Sequence, residues 1–248
     1  MPEVEVFAAE DTDYMAKLNS VSQKANSDRT DRLINGALRI WQRGTSFTPL
    51  ASTVTYTADR FFAYRLTNAN YTVSQVAGVG SRYGLKAQRT AADTAANPIY
   101  VGYVLESDEA IQLAGKTVTL SFDLKVGANF SGASNQVNAE IHRGLGIDQS
   151  AFAFMGDTWT SQAPILSPVF TGSTSFLRMS TSFTVPTGTT QIGIRFFYTP
   201  TGTAGADDSI TLQNIAMADS AASTAPLVWM RVKRSPRKIT PSRVVITG

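Results

Sequence analysis

Nine residues near the middle of the chain restrict the fold most. From Val118 to Val126, Val118, Leu120, Phe122, Leu124 and Val126 alternate with Thr119, Ser121, Asp123 and Lys125. Period-2 alternation puts one set of side chains on a buried face and the other toward water, which a helix cannot do. Gly115-Lys116 turns the chain into this run and Gly127 ends it.

Similar runs recur. Strands are expected at Tyr71–Ala77, Arg82–Arg89, Pro98–Leu105, Gln136–Arg143, Leu177–Val185, Gln191–Tyr198 and Ser209–Ala216. Within Gln191–Tyr198, Ile192, Ile194, Phe196 and Tyr198 share a side. Two further strands are expected upstream, one over Ala37–Gln42 and one over Val54–Leu66. Gly78-Val79-Gly80-Ser81-Arg82-Tyr83-Gly84 reads as a hairpin, and residues 144 to 175 read as long loops. About ten strands with turns between them and no alternating helices imply an antiparallel sandwich, because parallel strands need crossover connections. The fold class expected is all-β: an antiparallel β-sandwich jelly roll with a short N-terminal helix and an extended C-terminal arm. At 248 residues the chain can bury a core without staples, and it has no cysteine to supply any.

The helix is expected over residues 11 to 26, where Tyr14, Leu18, Val21 and Ala25 fall on one stripe. That stripe is the candidate oligomerisation seam, in a trimer by preference. The arm is expected from charge. After Asp219 there are no acids, while Arg231, Lys233, Arg234, Arg237, Lys238 and Arg243 supply six positive charges. Val232, Ile239, Val244, Val245 and Ile246 interleave with them, which favours attachment to a partner protein by strand addition over binding of nucleic acid. The division expected is 1–30 as an oligomerisation or anchoring segment, 31–229 as the jelly roll and 230–248 as the basic arm. No stretch approaches the ~20 apolar residues that span a bilayer.

Asn35-Gly36, Trp41-Gln42-Arg43-Gly44-Thr45-Ser46-Phe47 and Tyr56-Thr57-Ala58-Asp59-Arg60-Phe61 resemble the NG…WQRGTSF…YTADRW opening of a phage virion jelly-roll family, with Phe61 where the family carries Trp. Leu113–Phe122, Phe183-Thr184-Val185-Pro186 and Asp207–Leu212 are similar to strands of carbohydrate-binding-module jelly rolls. The resemblance implies a virion component, a tail fibre or capsid decoration, assembled in the bacterial host cytoplasm with other virion proteins. An alternative reading is an adhesin for a host surface glycan.

Catalysis has little to work with. His142 is the single histidine and no Gly-x-Ser-x-Gly turn presents a serine. Glu106, Asp108 and Glu109 read as a solvated turn, so no enzyme is expected, with a glycan hydrolase the weakest alternative. Asp207 and Asp208 are the candidate ligands of a structural calcium, and no other cofactor is expected. Sugar binding relies on aromatic faces, for which Trp159, Tyr83, Tyr100 and Tyr103 are the candidates, while Trp41 and Phe62 are assigned to the core.

Overall fold

The computed structural model describes residues 31–218. The expected helix at 11–26 with its Tyr14, Leu18, Val21 and Ala25 stripe, and the basic arm at 230–248, lie outside the described residues.

Among the described residues, thirteen strands build two antiparallel sheets. They are β1 (Ser46–Phe47), β2 (Thr53–Tyr56), β3 (Phe61–Arg65), β4 (Tyr71–Ala77), β5 (Tyr83–Arg89), β6 (Ile99–Val104), β7 (Thr117–Val126), β8 (Gln136–Gly144), β9 (Ala163–Leu166), β10 (Val169–Thr171), β11 (Leu177–Thr184), β12 (Gln191–Tyr198) and β13 (Ser209–Ala218). Helices α1 (Ser107–Leu113) and α2 (Ala151–Met155) sit in the connections. Sheet A has the order β1-β4-β5-β13-β7-β11. Sheet B has the order β10-β8-β12-β6-β3-β2, with β9 also paired to β8. From β6 to β8, and again from β11 to β13, the chain steps from one sheet to the other at each connection. This is the jelly-roll sandwich that the alternating runs imply.

The alternation decides which faces meet. Leu120, Phe122 and Leu124 of β7 and Ile210 and Leu212 of β13 are fully buried opposite Val101 of β6, Ile141 of β8 and Ile192, Ile194 and Phe196 of β12. Phe122 contacts Phe196 edge-on at 4.9 Å between centroids, the geometry that aromatic pairs favour.

One polar knot is sealed at the end of this core. Arg89, at the end of β5, is 1% exposed and its Nη1 lies 3.2 Å from Oδ2 of Asp208, whose side chain is 0% exposed. Nη2 donates to the carbonyls of Ala95 at 2.8 Å and Gly202 at 3.0 Å. The Asp208 carboxylate also accepts from Ser131 N and Oγ and from the Tyr198 hydroxyl. The neighbouring Asp207 pairs with Lys86 at 2.8 Å and accepts from Ser209 Oγ. The Lys86 hydrogen bond is the main reason its carboxyl is held below the ordinary range. Asp207 and Asp208, the candidate calcium ligands, are each paired with one of the chain's own cations. Among the described residues, no group of three or more metal-ligating side chains gathers.

Four local readings differ from the structure. Ala37–Gln42 forms no strand: Asn35 and Leu38 take positive φ, and the Asn35 side chain bonds the backbone of Ile40 and Asp59. Such bonding offers the backbone an alternative to a ladder. Val54–Leu66 is not one strand but the hairpin β2–β3, closed through Arg60 at φ 73°. Residues 144 to 175 hold α2, β9 and β10, and Glu106, Asp108 and Glu109 belong to the start of α1. The hairpin expected over Gly78–Gly84 is present, with β4 and β5 in register from Tyr71↔Arg89 to Ala77↔Tyr83 and the turn itself confined to residues 78–82.

Strands β9 and β10 lie end to end along one edge of β8, separated by Ser167 and Pro168. Ala139 N still finds an acceptor there, the Pro168 carbonyl at 3.0 Å.

Removing one partner of a buried ion pair strands the other charge, which costs about 3–5 kcal/mol. Asp208→Asn is therefore expected to lower Tm by about 10 °C or more, measured by calorimetry. Replacing the pair together, Arg89→Met with Asp208→Leu, should recover part of that loss.

Candidate functional site

The inward side chains of sheet B belong to the core, so its outer face carries the alternate set: Phe62 and Tyr64 on β3, Tyr100, Gly102 and Val104 on β6, Gly193, Arg195 and Phe197 on β12, and Asn138, Glu140 and His142 on β8. Three glycines on this face, Gly102 on β6, Gly193 on β12 and Gly144 at the end of β8, decide its relief. A side chain at Gly102 would collide with the Phe62 ring, one at Gly193 would come within 2.7 Å of Phe154, and one at Gly144 within 3.0 Å of Trp159. Bare backbone at these points lets rings lie flat on the sheet.

The segment 145–162 uses that space. Ser150 Oγ caps α2 by accepting from Ala153 N at 3.1 Å. Phe154 and Trp159 stack at 4.8 Å, and with Phe62, Ala151 and Met155 they form a second apolar cluster outside the main core. Trp159 is 3% exposed and its Nε1 donates to Ser150 O at 3.0 Å. Both faces of its role are packing, so the assignment of Trp159 as a sugar platform is corrected. The chain itself occupies the middle of this face.

Tyr103 is corrected for a different reason. It points inward, is 2% exposed, contacts Phe61 edge-on at 5.0 Å and accepts from Ile34 N at 2.9 Å. Burial is the main cause that pushes its phenol up to about 12. Tyr83 is half-buried at the start of β5 with the Arg82 guanidinium over its ring at 5.1 Å, but it lies on the other sheet. Of the four expected platforms only Tyr100 belongs to this face. Phe62 is buried as assigned, although in the second cluster rather than the main core, and Trp41 packs against the main core.

Beside α2 an aromatic row remains open to solvent. Tyr100 lies 5.1 Å from Phe197 and 6.5 Å from Tyr64, and Tyr64 lies 6.4 Å from Phe152. The first three are half-buried, and Phe152 is 56% exposed. Charged groups sit against the row. Arg195 Nε donates to Glu140 at 2.6 Å and Nη1 to Asp157 at 3.3 Å, while its guanidinium lies 5.7 Å above the Phe154 ring. His142 also contacts Glu140, at 3.3 Å. Burial first, then the Arg195 charge, holds His142 below the usual imidazole range, so it is neutral at neutral pH and the network carries one cation and two carboxylates. Ring faces beside fixed donors and acceptors can hold a flat polyol by stacking and hydrogen bonding.

Sequence reasoning missed Tyr64, Phe197, Phe152, Arg195 and Glu140. For Arg195 and Phe197 the signal was present: assigning Ile192, Ile194, Phe196 and Tyr198 to one side leaves Gly193, Arg195 and Phe197 on the other. Phe152 had no such signal, because its position depends on α2 docking onto glycines distant in sequence.

No family model matches the chain, and no curated protein sequence matches it. Among solved structures, it is similar to a putative sugar binding protein from Bacteroides thetaiotaomicron, with 7% identity over 77% of this chain and 100% of that one, at a TM-score of 0.48. It is similar to the enzymatically active domain of tailspike protein 4 of bacteriophage CBA120, with 12% identity over 76% of this chain and a TM-score of 0.42. The chain spans only 21% of that tailspike chain. It is also similar to the N-terminal CBM22-1–CBM22-2 tandem of Paenibacillus barcinonensis Xyn10C, with 13% identity, 69% of this chain and 51% of that one covered, and a TM-score of 0.42.

Proposed function

We propose that the chain is a structural component of a phage particle whose jelly roll presents a glycan-binding face. One observation carries the binding half: the solvent-open row Phe152–Tyr64–Tyr100–Phe197 on a rigid sheet, with Arg195, Glu140 and Asp157 beside it. Stacking energy comes from the rings and orientation from the charged groups, a division of labour suited to sugar rings. The engagement of both Glu140 and Asp157 by Arg195 supports binding over acid–base chemistry. The particle half rests on the sequence opening, whose WQRGTSF and YTADRF stretches resemble the virion family. In that setting the partners are other virion proteins, through the Tyr14–Ala25 stripe and the basic arm, and a glycan on the host surface.

Phe152 is exposed enough to test without unfolding the protein. Phe152→Ala is expected to weaken binding to host surface polysaccharide by roughly tenfold, about 1.4 kcal/mol, with Tm within about 2 °C of the parent. An array of host polysaccharides that shows no binding to the unmodified chain would remove the glycan half of the reading.

The particle half is tested separately, by mass spectrometry and electron cryo-microscopy of purified phage. The chain should be present in a fixed number of copies at a symmetric position, and its absence from washed particles would refute that role.

A further inference from the structure

A cleft of about 420 Å³ opens beside the N-terminal end of α2 on the same face of sheet B. Phe62 and Leu105 lie buried beneath it, while Val104 and Tyr56 present its accessible apolar surface. Its rim is acidic: Glu106 and Asp108 come from the start of α1 and Asp148 from the loop before α2. That loop is stapled to α1, since Asp148 N donates to Ser107 Oγ at 2.8 Å. Among the described residues, Arg60 is the one cation lining the cleft, and Glu106 already pairs with it.

Gln191 sets the chemistry of the interior. It lines the cleft, is fully buried, and its Nε2 donates to the Gln149 carbonyl at 3.2 Å. Its Oε1 has no hydrogen-bond partner. Buried polar atoms are rarely left so, and an orphaned acceptor is a place for a ligand's donor. The cleft therefore offers an unsatisfied acceptor inside and an excess of two carboxylates at the rim. Anionic ligands are repelled and donor-rich cations are favoured. A metal ion is a poor match, because among the described residues no group of three or more ligating side chains gathers.

We propose that this cleft receives a protonated amino sugar of glucosamine type, with its ammonium toward Asp108 and Asp148 and a hydroxyl donating to Gln191 Oε1. The apolar surface of Val104 and Tyr56 suits the C–H face of the ring, and the volume lies within the range of small-molecule sites. The inference rests on the glycan reading of this face and names the class of sugar that its end selects. It implies that uronate-bearing and sialylated glycans bind worse than neutral ones.

Titration calorimetry of the full chain tests this with three tetrasaccharides: glucosamine, N-acetylglucosamine and cellotetraose, at about pH 6, where the free amine carries its proton. The glucosamine tetramer is expected to bind about tenfold tighter than the other two. That advantage should vanish in about 0.5 M salt, because the rim carboxylates are exposed and screened. Asp108→Asn with Asp148→Asn should equalise the three ligands while leaving the binding that Phe152→Ala weakens. Both positions are exposed, so Tm should hold, and each single variant provides the same readout at smaller size. Equal affinities in the unmodified chain would overturn the amino-sugar inference and leave the glycan reading standing. Persistence of the preference in the double variant would overturn it as well. No binding of the glucosamine tetramer overturns it outright, while the host polysaccharide array decides the broader reading independently.

Discussion

The sealed pair of Arg89 and Asp208 is the interaction on which the most separate parts of the sandwich converge. Through it β5 and β13 of one sheet meet β12 of the other, by way of the Tyr198 hydroxyl, and three connections are gathered at Ala95, Ser131 and Gly202. Burial of two charges is tolerated because the carboxylate accepts from Arg89, Ser131 and Tyr198 and the guanidinium donates to Asp208, Ala95 and Gly202, with Arg89 Nε alone of its nitrogens left without a partner. A hydrophobic pair of similar volume would fill the space but would not fix where the loops go. The pair fixes their positions by direction as well as contact, since hydrogen bonds constrain geometry and dispersion does not.

How much of this was legible depended on the range of the cause. Val118–Val126, Tyr71–Ala77 and Gln191–Tyr198 are set by local alternation, and they form strands within a residue of where the pattern puts them. Ala37–Gln42 misleads because its alternation is real, yet a single side chain, Asn35, captures the local backbone. The face of the site was half legible. Tyr100, Arg195 and Phe197 follow from strand parity once the inward set is known. Trp159 did not, because its burial is decided by Gly144, fifteen residues away, and by Gly193 under Phe154, features that mean nothing until β8 and β12 are paired. Asp207 and Asp208 show the same limit: the cations that pair with these adjacent acids, Lys86 and Arg89, arrive from another strand.

Segment 145–162 changes what the outer face of sheet B can offer. A sheet floored with Gly102, Gly144 and Gly193 is shaped to receive flat rings, and here the rings are those of Phe62, Phe154 and Trp159 from the same chain. The packed segment divides the remaining surface into an aromatic row and an acid-rimmed cleft. Because α2 is held by its Ser150 cap and by Trp159 beneath it, both parts have fixed walls. A ligand bound at either part would not have to order a loop on arrival, an entropic cost that mobile sites carry.

The break between β9 and β10 has a consequence for crowding. Extended edges recruit other chains through their unpaired amides and carbonyls, and the hazard grows with local concentration. Along β8 the outermost strand is interrupted by Ser167 and Pro168, and Pro164 removes one more amide within β9. Neither remaining piece exceeds four residues. That edge of sheet B is a poor template for strand addition by an identical neighbour, so an ordered contact between copies along it must be made by side chains of chosen shape rather than by backbone that fits every partner alike.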